Sequence, residues 1–144
     1  MKLEIIRDSR LAETLIKIYA AHIDRKTQQI IDLAEGKSDH LLGVWMEKVY
    51  LLALPDIIRI YSEDKKVFLE TTDKVYATKY RIYQLEEQLT KDFIKISQGE
   101  IVNISAIQKL DLSIKGTIKL TLKTGGESFV SRRSLKTFKE KLGL

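Results

Sequence analysis

What most constrains the fold of this chain is how its apolar residues are spaced. They come in short runs at period two, cut by polar turns, and only three times do they settle into a helical stripe. The last stretch is the clearest case. Ile118, Leu120 and Leu122 alternate with Lys119, Thr121 and Lys123, the pattern of a half-buried strand. Thr124-Gly125-Gly126-Glu127 makes a hairpin turn, since glycine accepts the positive φ that primed turns demand. Ser128-Phe129-Val130 is the returning strand. Ser131, or alternatively Ser134, is placed to cap the helix that follows. In that helix Leu135, Phe138 and Leu142 fall at helical spacing, with Lys136, Lys139 and Lys141 on the remaining surface.

The same grammar runs through the rest of the chain. Lys2–Arg7 and Leu15–Ala21 read as strands, the second rich in β-branched and aromatic residues. Asp24 is the expected N-cap of a helix striped by Thr27, Ile30, Ile31 and Ala34 and ended by Gly36. Lys37-Ser38-Asp39 is loop. Two strands follow, Leu41–Met46 and Lys48–Leu52, then a helical turn opened by Pro55. Arg59–Tyr61 and Val67–Thr71 form a hairpin around Ser62–Lys66, and Val75–Thr78 is a further strand. Tyr80–Leu89 is the second helix, striped by Ile82, Leu85 and Leu89. Strands are expected at Phe93–Ile96 and Ile107–Ile114, with a loop at Ser97–Glu100. The class that fits is α+β and β-rich: an N-terminal α/β segment over residues 1–39, then a strand-dense domain over residues 40–144.

Composition narrows the function. There is no cysteine and there are two histidines, His22 and His40, so neither a disulfide framework nor a zinc site is expected, and no other metal or cofactor is called for. No apolar run approaches the roughly 20 residues that span a bilayer, and the N-terminus lacks a signal-peptide core; a cytoplasmic protein follows. No phosphate-binding glycine loop and no nucleophile elbow occurs. Glu86 and Glu87 are adjacent on a helix and point in different directions, so they read as a solvated face and not as an acid/base pair. An enzyme is not expected. Charge is unevenly placed: residues 1–54 hold eight bases and eight acids, whereas residues 115–144 hold eight bases and two acids. That asymmetry points to a polyanion met by the C-terminal part of the chain.

Three polar junctions lie in the basic part. They are Ser62–Lys66 at a hairpin tip, Lys95–Glu100, and Ser131-Arg132-Arg133-Ser134 where a strand hands over to a helix. Arginine and lysine donate to guanine O6 and N7, and glutamine pairs with adenine in the major groove. Ser97, Ser131 and Ser134 can donate to phosphates, with Lys65, Lys95 and Lys136 adding charge.

In order, VYLLALPDIIRIYSEDKKVFLET, KYRIYQLEEQL, DFIKISQGEIVNISAIQKLDLS and GTIKLTLKTGGESFVSRRSLKTFKEKL resemble the LytTR DNA-binding domain of bacterial transcription regulators. The Phe-basic-Ile-Ser…Ile-Val-Asn run and the terminal Val-Ser-Arg-Arg…Leu carry most of the likeness, which spans residues 41–144. The chain looks like the small stand-alone members that have a short N-terminal α/β segment and no receiver domain. The resemblance implies a stack of small antiparallel β-sheets with short helices that lies along DNA, bends it, and reads direct repeats through loops in successive major grooves. It places three contact positions at Lys66 (with Lys65 adjacent), at Gln98 (beside Ser97), and at Arg133 (beside Ser131 and Arg132). Lys66 stands where the family often has histidine, tyrosine or another polar residue, so a phosphate contact is expected of it. Asn103 also matches the family and reads as structural, capping the turn at Ile104-Ser105. The partners implied are double-stranded DNA, a second copy through the N-terminal segment, and a small membrane protein encoded alongside that inhibits the regulator.

The competing reading is an RNA-binding or protein-interaction module that uses the same basic face. RNA platforms interleave aromatics with basic residues on a sheet surface. Tyr61, Phe68 and Tyr76 are the candidates here, and their apolar alternation favours core. Trp45 likewise reads as core or interface.

Overall fold

The computed structural model describes residues 1–37 and 39–144. Ser38, inside the expected loop, lies outside the described residues. The chain divides into two compact units, Met1–Glu35 and Gly36–Leu144.

The N-terminal unit holds one helix, α1 (Arg25–Ala34). Asp24 starts it as expected: its carboxylate accepts from the Thr27 N–H at 2.8 Å, and that backbone hydrogen bond, with the Thr27 hydroxyl, holds the Asp24 carboxyl below the usual range. Gly36, in the left-handed region at φ 73°, follows the end of the helix. The strands expected at Lys2–Arg7 and Leu15–Ala21 are not formed. Alternation makes a segment competent for a sheet, but a strand exists only against a partner edge, and none is paired with these residues.

The second unit is built on a seven-stranded antiparallel sheet of order β2-β1-β5-β4-β3-β7-β6. Its strands are β1 (His40–Trp45), β2 (Lys48–Ala53), β3 (Ile57–Glu63), β4 (Lys66–Thr71), β5 (Val75–Thr78), β6 (Phe93–Ser97) and β7 (Glu100–Asn103). A smaller sheet of order β10-β9-β8 holds β8 (Ile107–Asp111), β9 (Lys119–Leu122) and β10 (Glu127–Phe129). The other helices are α2 (Ile82–Gln88) and α3 (Leu135–Leu142). The β-rich α+β class is therefore correct. The expected stack resolves into one large sheet and one small one.

Register divides the large sheet into two faces. Leu41, Leu52, Tyr76, Leu69, Ile60 and Ile101 lie on one, sealed by Leu85 of α2 and by Leu89 just after it. Gly43 sits there because a Cβ would meet the Tyr76 Cβ at 2.7 Å. On the opposite face, at the β7–β6 end, Ile94, Ile96 and Val102 pack with Ile118, Leu120, Leu122 and Val130 of the small sheet region and with Phe138 of α3. Arg59 ties the layers together. It pairs with Glu70 and, at 3.0 Å, with Glu100, which also accepts from the Ser128 hydroxyl of β10 at 2.6 Å. Burial pulls the Arg59 pKa down, but hydrogen bonds to Glu70 and Glu100 outweigh it and hold the guanidinium above its ordinary value.

Asn103 behaves as its sequence context requires. Buried, it donates to the Ile57 carbonyl at 2.9 Å and accepts from the Ser105 N–H at 3.0 Å. Tyr76 is core, whereas Tyr61 and Phe68 are half-buried and stack on each other at 5.5 Å. Trp45 is partly exposed under the Lys74 ammonium, 4.2 Å from its ring centre. The strand expected through Ile114 stops at Asp111, whose carboxylate accepts from the Ser113 N–H at 2.9 Å and turns the chain out of the sheet.

Candidate nucleic-acid interface

Each of the three polar junctions is tighter than its sequence suggests. The hairpin tip is not a five-residue loop: β3 runs to Glu63, β4 begins at Lys66, and only Asp64 and Lys65 turn the chain, at φ 49° and 64°. Positive φ at both centres is the primed turn that suits strand twist, though neither residue is glycine. Met46 and Glu47 make the same kind of turn between β1 and β2, at φ 50° and 62°, so the strain by itself does not mark Lys65 as functional. The second junction is again a two-residue turn, Gln98-Gly99, between β6 and β7. The third is a single 3-10 turn, Arg132–Ser134, that runs straight into α3. Neither Ser131 nor Ser134 caps the helix with its side chain. Instead the Ser131 hydroxyl donates to that of Ser134 at 3.1 Å, which leaves Ser131 fixed across the turn.

Two backbone hydrogen bonds join the junctions in a row. The Ser62 N–H donates to the Gly99 carbonyl at 2.8 Å, which pins the hairpin tip to the β6–β7 turn. The Ser131 N–H donates to the Ile96 carbonyl at 2.8 Å, which pins the strand–helix junction to β6 just before that turn. Segments far apart in sequence thus form one continuous edge with Gln98 in the middle. Lys65, Lys66, Gln98, Arg132, Arg133 and Lys136 are exposed along it, and Lys95, Ser97 and Ser131 are half-buried.

The side chains do not all converge. Lys65, Lys95 and Gln98 line one open cleft of about 560 Å³ with Ser62, Arg81 and Glu86. Lys66 is not in that cleft; strand alternation puts its side chain on the face of β4 opposite Val67. Arg132 and Arg133 stand on the far side of β6 and, among the described residues, have no ion-pair partner. Lys95 does have one: its ammonium lies 3.3 Å from the Glu86 carboxylate of α2.

Arg81 is the cation that sequence reading missed. It sits just before α2 with the Gln84 side chain accepting from its N–H at 2.9 Å, and it joins the cleft with Lys65 and Lys95. The sequence puts it inside a helix from Tyr80, whereas the helix begins at Ile82 with Arg81 as its cap; its neighbourhood with the hairpin tip was not legible. Glu86 works against this cationic cluster. Glu86→Gln should release Lys95 and remove one acid from the cleft, strengthening the binding of a polyanion by about three- to tenfold at low salt, an effect that fades as salt screens it. Fluorescence anisotropy at two ionic strengths checks this.

A family model described as the LytTr DNA-binding domain matches residues 47–143. Two relatives from Staphylococcus aureus, strains MSSA476 and MRSA252, each named an HTH-type transcriptional regulator, are 34% identical over 146 residues, covering 100% of this chain and 99% of theirs. A solved LytTr DNA-binding domain, from a Bacillus cereus protein described as a methyl-accepting/DNA response regulator, superposes with a TM-score of 0.72 at 21% identity, covering 74% of this chain and 99% of that one.

Proposed function

This chain belongs to the LytTR DNA-binding domain family, a family of DNA-binding regulators and not of enzymes, and from that premise we propose that it binds promoter DNA sequence-specifically through three junctions set into successive major grooves. The observation that carries the proposal is the pair of hydrogen bonds, Ser62 N–H to the Gly99 carbonyl and Ser131 N–H to the Ile96 carbonyl, that aligns the junctions on one edge. In this reading Arg133 reads guanine, Gln98 reads adenine, and Lys65, Lys66, Lys95, Ser97, Ser131, Arg132 and Lys136 hold phosphates, with Arg81 added to that set. The chain acts as a homodimer in the cytoplasm, and a small membrane protein that sequesters it is the regulatory partner the family resemblance implies. Among the described residues no helix is long and apolar enough to cross a membrane.

Selection of bound duplexes from a random pool tests the proposal. The expected product is a conserved direct repeat; a pool that stays random overturns sequence specificity. Competition with single-stranded and duplex RNA of the same sequence separates this from the RNA-binding alternative. A narrower test concerns charge at the hairpin tip. Lys65→Asn removes the cation while keeping a residue that tolerates the left-handed turn. It should weaken binding evenly across sequences and reduce the slope of log K against log salt by about 1.

A further inference from the structure

Glu100 joins two segments that read DNA separately in the function proposed above. It opens β7 directly after the Gln98-Gly99 turn, and its side chain is only 17% exposed. Its Oε1 accepts from the Arg59 guanidinium at 3.0 Å and from the Ser128 hydroxyl at 2.6 Å. Arg59 is itself held by Glu70 on the neighbouring strand and lies over the Tyr61 ring, 4.4 Å from its centre. The carboxylate is thus already oriented where Ser128 meets it. Ser128 is buried in β10, the strand that leads through Val130 and Ser131 into Arg132–Ser134. A hydroxyl donating to an ionised acceptor at this length makes one of the stronger hydrogen bonds found in proteins.

A second bond joins the same two segments from the other side of the turn. In the β6–β7 ladder Lys95 faces Ile101 and Ser97 faces Glu100, so Ile96 is the extra residue of a bulge. Its carbonyl accepts from the Ser131 N–H at 2.8 Å. Ile96 and Glu100 therefore flank Gln98 along the chain, and they grip Ser131 and Ser128, which precede Arg133. One hydrogen bond is a pivot. Two, on either side of the turn, fix both the separation and the angle of the segments. The backbone bond needs no particular side chain, whereas the other needs Glu100 and Ser128 themselves.

We propose that Glu100 and Ser128, with Arg59 behind them, are positioning residues that set the spacing between the base read by Gln98 and the base read by Arg133. The inference rests on the base-reading roles given above to those two residues. Glu100 and Ser128 act through the turn and the junction, not by touching DNA. A site whose two bases stand one base pair further apart, about 3.4 Å along the duplex, is rejected because the braced segments do not follow.

Gln98→Ala and Arg133→Ala locate the two bases, as the positions of the selected site where each variant loses its preference. One base pair is then inserted between them, and anisotropy compares the two duplexes at one salt concentration. The wild type is expected to bind the lengthened site at least about tenfold more weakly. Ser128→Ala removes a hydroxyl and leaves Glu100 paired with Arg59, so its melting curve should stay close to that of the wild type. Its binding to unrelated DNA should be unchanged, and its discrimination between the two lengths should fall by at least about threefold. Glu100→Ala, which leaves Arg59 paired with Glu70, should do the same. A purely structural role would weaken binding to both duplexes alike and preserve their ratio. If Ser128→Ala rejects the lengthened site as strongly as the wild type does, the inference is wrong and base reading stands. A wild type that binds both lengths equally also overturns it. Should either Gln98→Ala or Arg133→Ala keep the wild-type preference at every base, the base-reading assignment fails first, and this inference with it.

Discussion

Replacing Arg133 by alanine should weaken binding to the selected site by about 1–3 kcal/mol, roughly five- to 150-fold, and leave binding to unrelated DNA nearly unchanged. The reasoning starts from what holds this residue. Arg133 lies in a one-turn 3-10 segment fixed at its start by the Ser131 N–H bond to Ile96 and continued by α3, so its backbone is preorganised and the guanidinium is the mobile part. The side chain is exposed and, among the described residues, has no acidic partner. Removing it therefore strands no buried charge, and the melting temperature should not move. Lysine at the same position keeps the charge but loses the two-pronged donor that matches guanine O6 and N7, so Arg133→Lys should bind unrelated DNA as the wild type does and still lack the sequence preference. Arg132→Ala is the contrast: as a phosphate contact it should weaken all duplexes alike and flatten the salt slope. Anisotropy titrations on the selected site and on a scrambled duplex separate the two behaviours. Equal binding of both duplexes by wild type and Arg133→Ala would refute the base-reading role.

The sequence exposed this site unevenly, for reasons that particular residues make plain. Alternation at Ile118–Leu122 and the stripe Leu135, Phe138, Leu142 are local patterns, and the structure forms β9 and α3 there. Asp24 and Asn103 cap through neighbours three and two residues away, so those caps could be read without a fold, though the bond from Asn103 to the Ile57 carbonyl could not. Failures begin where a partner is distant. Lys2–Arg7 and Leu15–Ala21 carry strand chemistry and no strand, because the edge they need is not a property of their own sequence. Turn length failed for a different reason. Asp64 and Lys65 occupy left-handed φ without glycine, so residue identity favoured a longer loop than the chain makes. The pairing of Lys95 with Glu86, and of Arg81 with the hairpin tip, depends on α2 lying over the sheet, which no motif in either segment announces. Polar turns in the basic part of the chain located the junctions, and the resemblance to the LytTR family placed contact positions in them; the hydrogen bonds from Ser62 and Ser131 that join them are visible only in three dimensions.

The other large effect is expected far from any DNA contact. Phe138 is fully buried, packed with Ile94, Ile96, Leu120 and Val130 where α3 closes the smaller core against the large sheet. Phe138→Ala should cost about 3–5 kcal/mol, the sum of lost transfer energy and an unfilled cavity. Set against a typical total of roughly 5–15 kcal/mol, that is about a fifth or more of the domain's stability. Urea titration should show a lower midpoint with an unchanged slope. The damage should also be directional. α3 follows without a break from Arg132–Ser134, so a loosened helix frees the arginine-bearing junction first. Hydrogen exchange reads this directly. The Ser131 amide, bonded to the Ile96 carbonyl, should lose more protection than the amide of Leu69, which sits in the core on the α2 side of the large sheet. Specific DNA affinity should then fall even at temperatures where the variant remains folded, because the backbone that carries Arg133 is no longer preorganised. If Ser131 and Leu69 lose protection equally, α3 contributes only to global stability, and the idea that Phe138 anchors the junction is wrong.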